Sequence, residues 1–153
     1  MHLCPLRLCV KNSIQLIMQP SGYSGTPLAK KLGIKEGFKI RLINPPEYYF
    51  DLFTDLPENI SIFRDTKIKK NLIHCFVKEE KELHNNIPSL KNEIEPNGII
   101  WISWPKKASK VATNVTEDVV RSLALANGLV DIKVCAVDEI WSGLKLVIPV
   151  KDR

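Results

Sequence analysis

The sequence lacks the short motifs that name a reaction. There is no GxSxG after a strand, no HExxH, no Walker A loop and no EF-hand loop. Those absences remove the serine-hydrolase elbow, the zinc-peptidase helix, the nucleotide P-loop and the calcium hand. No uninterrupted apolar run approaches the roughly 18 residues of a spanning helix, so no membrane contact is expected. The four cysteines (Cys4, Cys9, Cys75, Cys135) form no CxxC pair, and three histidines are scattered among them. Reduced, mostly buried thiols and no metal site are expected, as in a cytoplasmic protein. The net charge of +5 comes without a dense basic stripe, so nucleic acid is not the expected partner. Repeats and low-complexity tracts are absent.

What is present suits one ordinary globular domain: 153 residues, 44% hydrophobic and 25% charged. The opening stretch MHLCPLRLCVKNSIQLIMQP is apolar but broken by Arg7, Lys11, Asn12 and Gln15. With no clean apolar region and no small-residue cleavage site, it makes a poor signal peptide. Residues 1–17 are expected to be a poorly packed extension from an upstream start codon, and residues 18–153 a single α/β domain.

Along the chain, Thr26 is a good N-cap, Pro27 a good first helical residue and Gly33 a C-cap, which predicts a short helix over 26–32. FKIRLI (38–43) predicts a strand stopped by Asn44-Pro45-Pro46, and EYYFDLF a helix after it. ISIF (60–63) and LIHCFV (72–77) read as strands. The charged stretch 78–90 carries Leu83, Ile87 and Leu90 on one helical face. Pro96-Asn97-Gly98 reads as a turn before the strand IIWISW (99–104). Thr116 caps a helix to Ala126 with Glu117 and Asp118 at its positive end. VDIKVCAV (130–137) and LKLVIPV (144–150) are strands joined by DEIWSG, where Gly143 would supply a positive φ angle. Alternation with buried apolar strands predicts a three-layer Rossmann-like α/β sandwich. Its sheet is mostly parallel, closed by an antiparallel C-terminal hairpin strand.

This pattern resembles a shortened class I methyltransferase-like Rossmann domain, above all from the strand after Gly98 to the end. The resemblance implies a cofactor crevice, a glycine-rich loop after the first strand and an acidic residue ending the second strand to hold a ribose. Here the loop is NPPEYY, without glycine, and Asp65 stands near the acidic position. The words GYSGTPLAKKLGIKEG, GIIWISWPKKASK, TEDVVR and GLVDIKVCAVDEIWSGLKLVI resemble an uncharacterised bacterial family, over roughly residues 21–150. That resemblance implies a small stand-alone α/β protein and no particular activity or cofactor. LGIKEGFKI alone resembles the start of the swapped-hairpin antitoxin and transition-state-regulator proteins, which implies a DNA-binding alternative.

In open α/β sheets, ligands bind outside the carboxyl ends of the strands. Three unusual words fall there. WPKKASK places Trp104, Lys106, Lys107, Ser109 and Lys110 after a buried strand, with Ser103 just before it. The lysines could hold a phosphate or carboxylate; otherwise this is a solvated basic loop whose tryptophan packs on the core. DEIWSG places Trp141 at the same edge, as a pocket wall or a core cover, with Asp138 and Glu139 as candidate acid–base groups. NPPEYY adds Asn44, as ligand contact or helix cap, and the packing candidates Tyr48 and Tyr49. In SGYSGTPLAKKLG, Tyr23 and Ser24 precede a helix whose free N–H groups could wall the same site. His74 and Cys75 are adjacent on a strand and point to opposite faces, so they form no dyad. The expectation is a binding module for a small anionic ligand or a partner's acidic segment. A methyltransferase-like transferase with a nucleotide-type cofactor is the alternative.

Overall fold

The computed structural model describes residues 25–153. The expectations for residues 1–17, Tyr23 and Ser24 lie outside the described residues. Helix α1 (Leu28–Leu32) leads through Gly33, in the left-handed region at φ 85°, towards β1 (Lys39–Ile43). Tyr49–Leu52 forms a single 3-10 turn, shorter than the expected helix. Strand β2 (Ser61–Ile62) and β3 (Lys70–Phe76) follow, then α2 (Glu80–Glu93) and β4 (Ile94–Pro105). Helix α3 (Glu117–Ala126) precedes the hairpin of β5 (Val130–Ala136) and β6 (Trp141–Val147).

The six strands form one sheet in the order β2-β1-β3-β4-β6-β5. Strands β1 to β4 pair in parallel, and β6 pairs antiparallel with both β4 and β5. This is the three-layer, mostly parallel Rossmann-like sandwich expected from the alternation of elements. On one face, Leu83, Ile87 and Leu90 of α2 and Val120 and Ala124 of α3 pack on Ile73, Ile100, Ile102 and Leu144. On the other face, α1 and the 3-10 turn pack on Leu72, Phe76 and Trp101. Burying each such large side chain stabilises the fold by about 1.5–3 kcal/mol.

Helix α2 opens with a capping box in which Glu79 and Glu82 satisfy each other's backbone N–H groups. The Thr116 hydroxyl accepts from the Val119 N–H at 3.3 Å, as its sequence position predicts. Thr26 does not cap α1. The Asp55 carboxylate does so from far along the chain, accepting from Ala29 and Lys30 N–H at 3.1 Å each. Pro96-Asn97-Gly98 is not a turn: β4 runs through it as a register shift against Lys70 and Leu72. Gly98 fits there because a Cβ would lie 2.9 Å from the Glu95 carbonyl oxygen. Gly143, expected to turn the hairpin at a positive φ, instead lies within β6 without one. A Cβ there would meet Trp101 at 3.2 Å.

Candidate functional site

The chain leaves β1 for β2 on one side, and β3 lies on the other, so strand order reverses between β1 and β3. Outside the carboxyl ends of two such strands the connections diverge and leave a crevice. A cleft of about 480 Å³ opens there. The loop after β1 supplies Asn44, Pro45, Pro46, Glu47 and Tyr48; the end of β3 supplies Phe76 and Lys78. Val111, Ile140 and Trp141 close the far side, with Glu82 at the foot of α2.

The local sequence shapes each wall. Asn44 takes a positive φ of 54°, a conformation asparagine tolerates better than most residues. Pro45 and Pro46 have no N–H to offer and stiffen the loop. The Asp138 carboxylate accepts from the N–H groups of Ile140 at 2.8 Å and Trp141 at 2.7 Å, which folds the hairpin turn. That turn delivers the Trp141 indole edge-on to Phe76, with centroids 5.0 Å apart. The indole N–H donates to the Tyr48 hydroxyl at 3.2 Å. Burial, then the hydrogen bond to Asp138, push the Tyr48 pKa up, so the phenol stays a proton donor.

Beneath the cleft lies a second polar chain. The Tyr49 hydroxyl meets His74 Nδ1 at 3.0 Å, and His74 Nε2 meets the Ser103 hydroxyl at 2.7 Å. His74 is fully buried and stacks on Phe76 at 4.2 Å. Burial pushes its pKa down to about 3 and pushes that of Tyr49 up. A neutral imidazole satisfied on both nitrogens holds β3 to β4 and to the 3-10 turn. It is not open to the cleft. Cys75, on the opposite face, is buried with its thiol pushed up to about 12.

The three words of the carboxyl edge do come together: the Lys106 N–H donates to the Ile140 carbonyl at 2.7 Å, and Trp141 touches Tyr48. Asn44 and Trp141 line the cleft; Lys106, Lys107, Ser109 and Lys110 do not. Lys107 and Lys110 are exposed on a 3-10 turn, and the Ser109 hydroxyl donates to the Lys106 carbonyl at 2.6 Å. Trp104 packs into the core beneath α2 and α3. Ser103 is held by His74. The α1 amino end is taken by Asp55, so its first free N–H groups wall no site. Sequence reasoning missed Lys78, which has no ion-pair partner among the described residues. The apolar LIHCFV gave no reason to weigh the residue just beyond its end.

No protein-family model matches the chain, and no curated protein matches it. Solved structures do. The ribosomal protein L11 methylase of Lactobacillus delbrueckii subsp. bulgaricus superposes over 78% of this chain and 73% of its own, at 10% identity and a TM-score of 0.52. The Methanococcus jannaschii fibrillarin pre-rRNA processing protein matches 90% of this chain and 74% of its own, at 13% identity and TM-score 0.55. The Synechocystis magnesium protoporphyrin IX methyltransferase with bound SAM matches 93% and 79%, at 11% identity and TM-score 0.53. The fold is methyltransferase-like. At these identities the likeness shows the fold alone, and the resemblance to an uncharacterised bacterial family stays a resemblance of sequence words. Among the described residues no helix is long and apolar enough to cross a membrane.

Proposed function

We propose that the protein is a methyltransferase-like domain that binds a flat, partly apolar small molecule with an anionic group in the switch-point cleft. The observation that carries this reading is the cleft's place and lining. Trp141, Tyr48, Phe76 and the paired prolines form apolar walls. Lys78 lines the cleft alongside Glu47 and Glu82, and it is a cation with no ion-pair partner among the described residues. A ligand's planar part would lie against the indole and prolines, and its anionic end would face Lys78. The anion-binding expectation is thereby moved from the WPKKASK lysines to the cleft.

A methyltransferase-like transferase is the second reading, and the solved neighbours support it better than a module built on the lysine turn. The residues do not reproduce the grip on S-adenosylmethionine that the resemblance implies. NPPEYY replaces the glycine-rich approach with two prolines, which donate no backbone hydrogen bond. Strand β2 ends opposite Ile40, well short of the cleft. Asp65 approaches Lys70, at the start of β3, to 3.8 Å. A transferase built on this chain would have to hold its cofactor by other contacts.

Calorimetric titration with S-adenosylhomocysteine, adenosine and a set of aromatic carboxylates tests both readings. The first expects binding by a carboxylate, weakened at least tenfold in Ile140→Arg and in Lys78→Ala. Tight binding of S-adenosylhomocysteine alone favours the transferase. No binding by any of them removes both.

A further inference from the structure

A second cluster lies on the face of the sheet that carries α1. Lys133 of β5 and Lys145 of β6 are directly opposite each other, and Trp101 of β4 continues the row. Cys135, two residues beyond Lys133 on the same face, opposes Gly143. Like charges directly opposite on neighbouring strands destabilise a sheet. Neither ammonium group has an ion-pair or hydrogen-bond partner among the described residues. Lys145 is partly buried, and its pKa is pushed down first by that burial and then by Lys133. Burial pushes the Cys135 thiol up, and Lys31, Lys133 and Lys106 each draw it back down. The Lys31 ammonium donates to the Ala136 carbonyl at 3.1 Å, beside them. Positive charge is thus collected on one strip of the hairpin, and among the described residues no carboxylate pairs with Lys133 or Lys145.

We propose that Lys133 and Lys145, bordered by Lys106, form a binding site for a dianionic oxyanion group, either free phosphate or the phosphate of a small molecule. The site stands on the hairpin pairing and does not depend on the cleft reading. Bound between the two ammonium groups, a dianion turns a cross-strand repulsion into two charge-assisted contacts. The strand register fixes the backbone spacing of the two lysines.

The test compares thermal unfolding in inorganic phosphate, in adenosine monophosphate and in chloride at equal ionic strength. Phosphate at roughly tenfold excess over its Kd should raise the Tm of the wild type by about 3 °C. Lys145→Gln should unfold about 1–3 °C higher than the wild type in chloride, because the repulsion is gone. It should lose the phosphate response. A larger response to adenosine monophosphate than to phosphate assigns the site to a phosphorylated small molecule; an equal one assigns it to the free ion. In a Cys4→Ser/Cys9→Ser background, Cys135 should react several-fold more slowly with an anionic disulfide reagent when phosphate is present. A wild type indifferent to both anions, or a Lys145→Gln variant that keeps the full phosphate response, overturns the proposal.

Discussion

The two edges of the parallel sheet treat their polar groups in opposite ways. At the amino edge, Lys70 is fully buried, and its ammonium contacts the Asp65 carbonyl and lies 3.7 Å from the Glu93 carboxylate. Arg41 closes on the same carboxylate from β1. Each of these charges has an answering charge. At the carboxyl edge, Asp138, Tyr48 and Trp141 satisfy one another, yet a cleft remains. Lys78 beside it forms no ion pair among the described residues, although the Glu47 and Glu82 side chains line the same cleft. Charged residues brought together by a fold mark a ligand site only where the set is incomplete. The amino edge is architecture; the carboxyl edge is where a ligand could still gain a contact.

Breaking the closed set should have the largest effect. Glu93→Ala leaves buried Lys70 only the more exposed Asp65 carboxylate at 3.8 Å and should destabilise the protein by about 3 kcal/mol in urea unfolding. The double change Lys70→Met/Glu93→Leu should recover at least half of that loss. Ligand binding at the cleft should be unchanged by the double change. Loss of binding there would break the contrast between the edges.

Acid should have the next largest effect. The folded-state pKa of His74 lies below its ordinary value of 6.5, at about 3. Its contribution is therefore complete above about pH 6.5 and is lost as the pH falls towards 3. Each unit in that window removes up to about 1.4 kcal/mol, so about 3 kcal/mol should be gone by pH 4.5. His74→Gln should be less stable at pH 7 but show a shallower acid limb in the same unfolding series. Parallel limbs for the two proteins would show that His74 is not the group being titrated.

Tyr48→Phe should have a smaller effect, about 1 kcal/mol, by leaving the Trp141 indole N–H and one side of Asp138 unbonded. It should also shift the tryptophan emission, because Trp141 loses its acceptor at the cleft. An unchanged spectrum would mean that the indole is held by packing on Phe76 alone.

Strands and the two long helices were legible because their signals are local. LIHCFV and IIWISW are apolar runs, and Leu83, Ile87 and Leu90 recur at helical spacing. Three features were not, because partners distant in sequence decide them. The Asp55 cap of α1 comes from some 25 residues away. Gly143 is small because Trp101 lies against it, not because it turns the chain. Pro96-Asn97-Gly98 carries strong turn residues, but pairing of β4 with β3 on both sides absorbs it as a bulge. For the site, the sequence located the edge and two of its wall residues, Asn44 and Trp141. Which side chains face the opening is a matter of register and turn geometry, and the lysines, being the most visible residues, drew attention away from Tyr48 and Lys78.

Crystals soaked with a defined set of small aromatic carboxylates, adenosine and S-adenosylhomocysteine test the central claim most directly. Ligand density is expected between Tyr48 and Trp141, with an anionic group towards Lys78. Ligand density confined to Lys107 and Lys110, with the cleft empty in every soak, would contradict it.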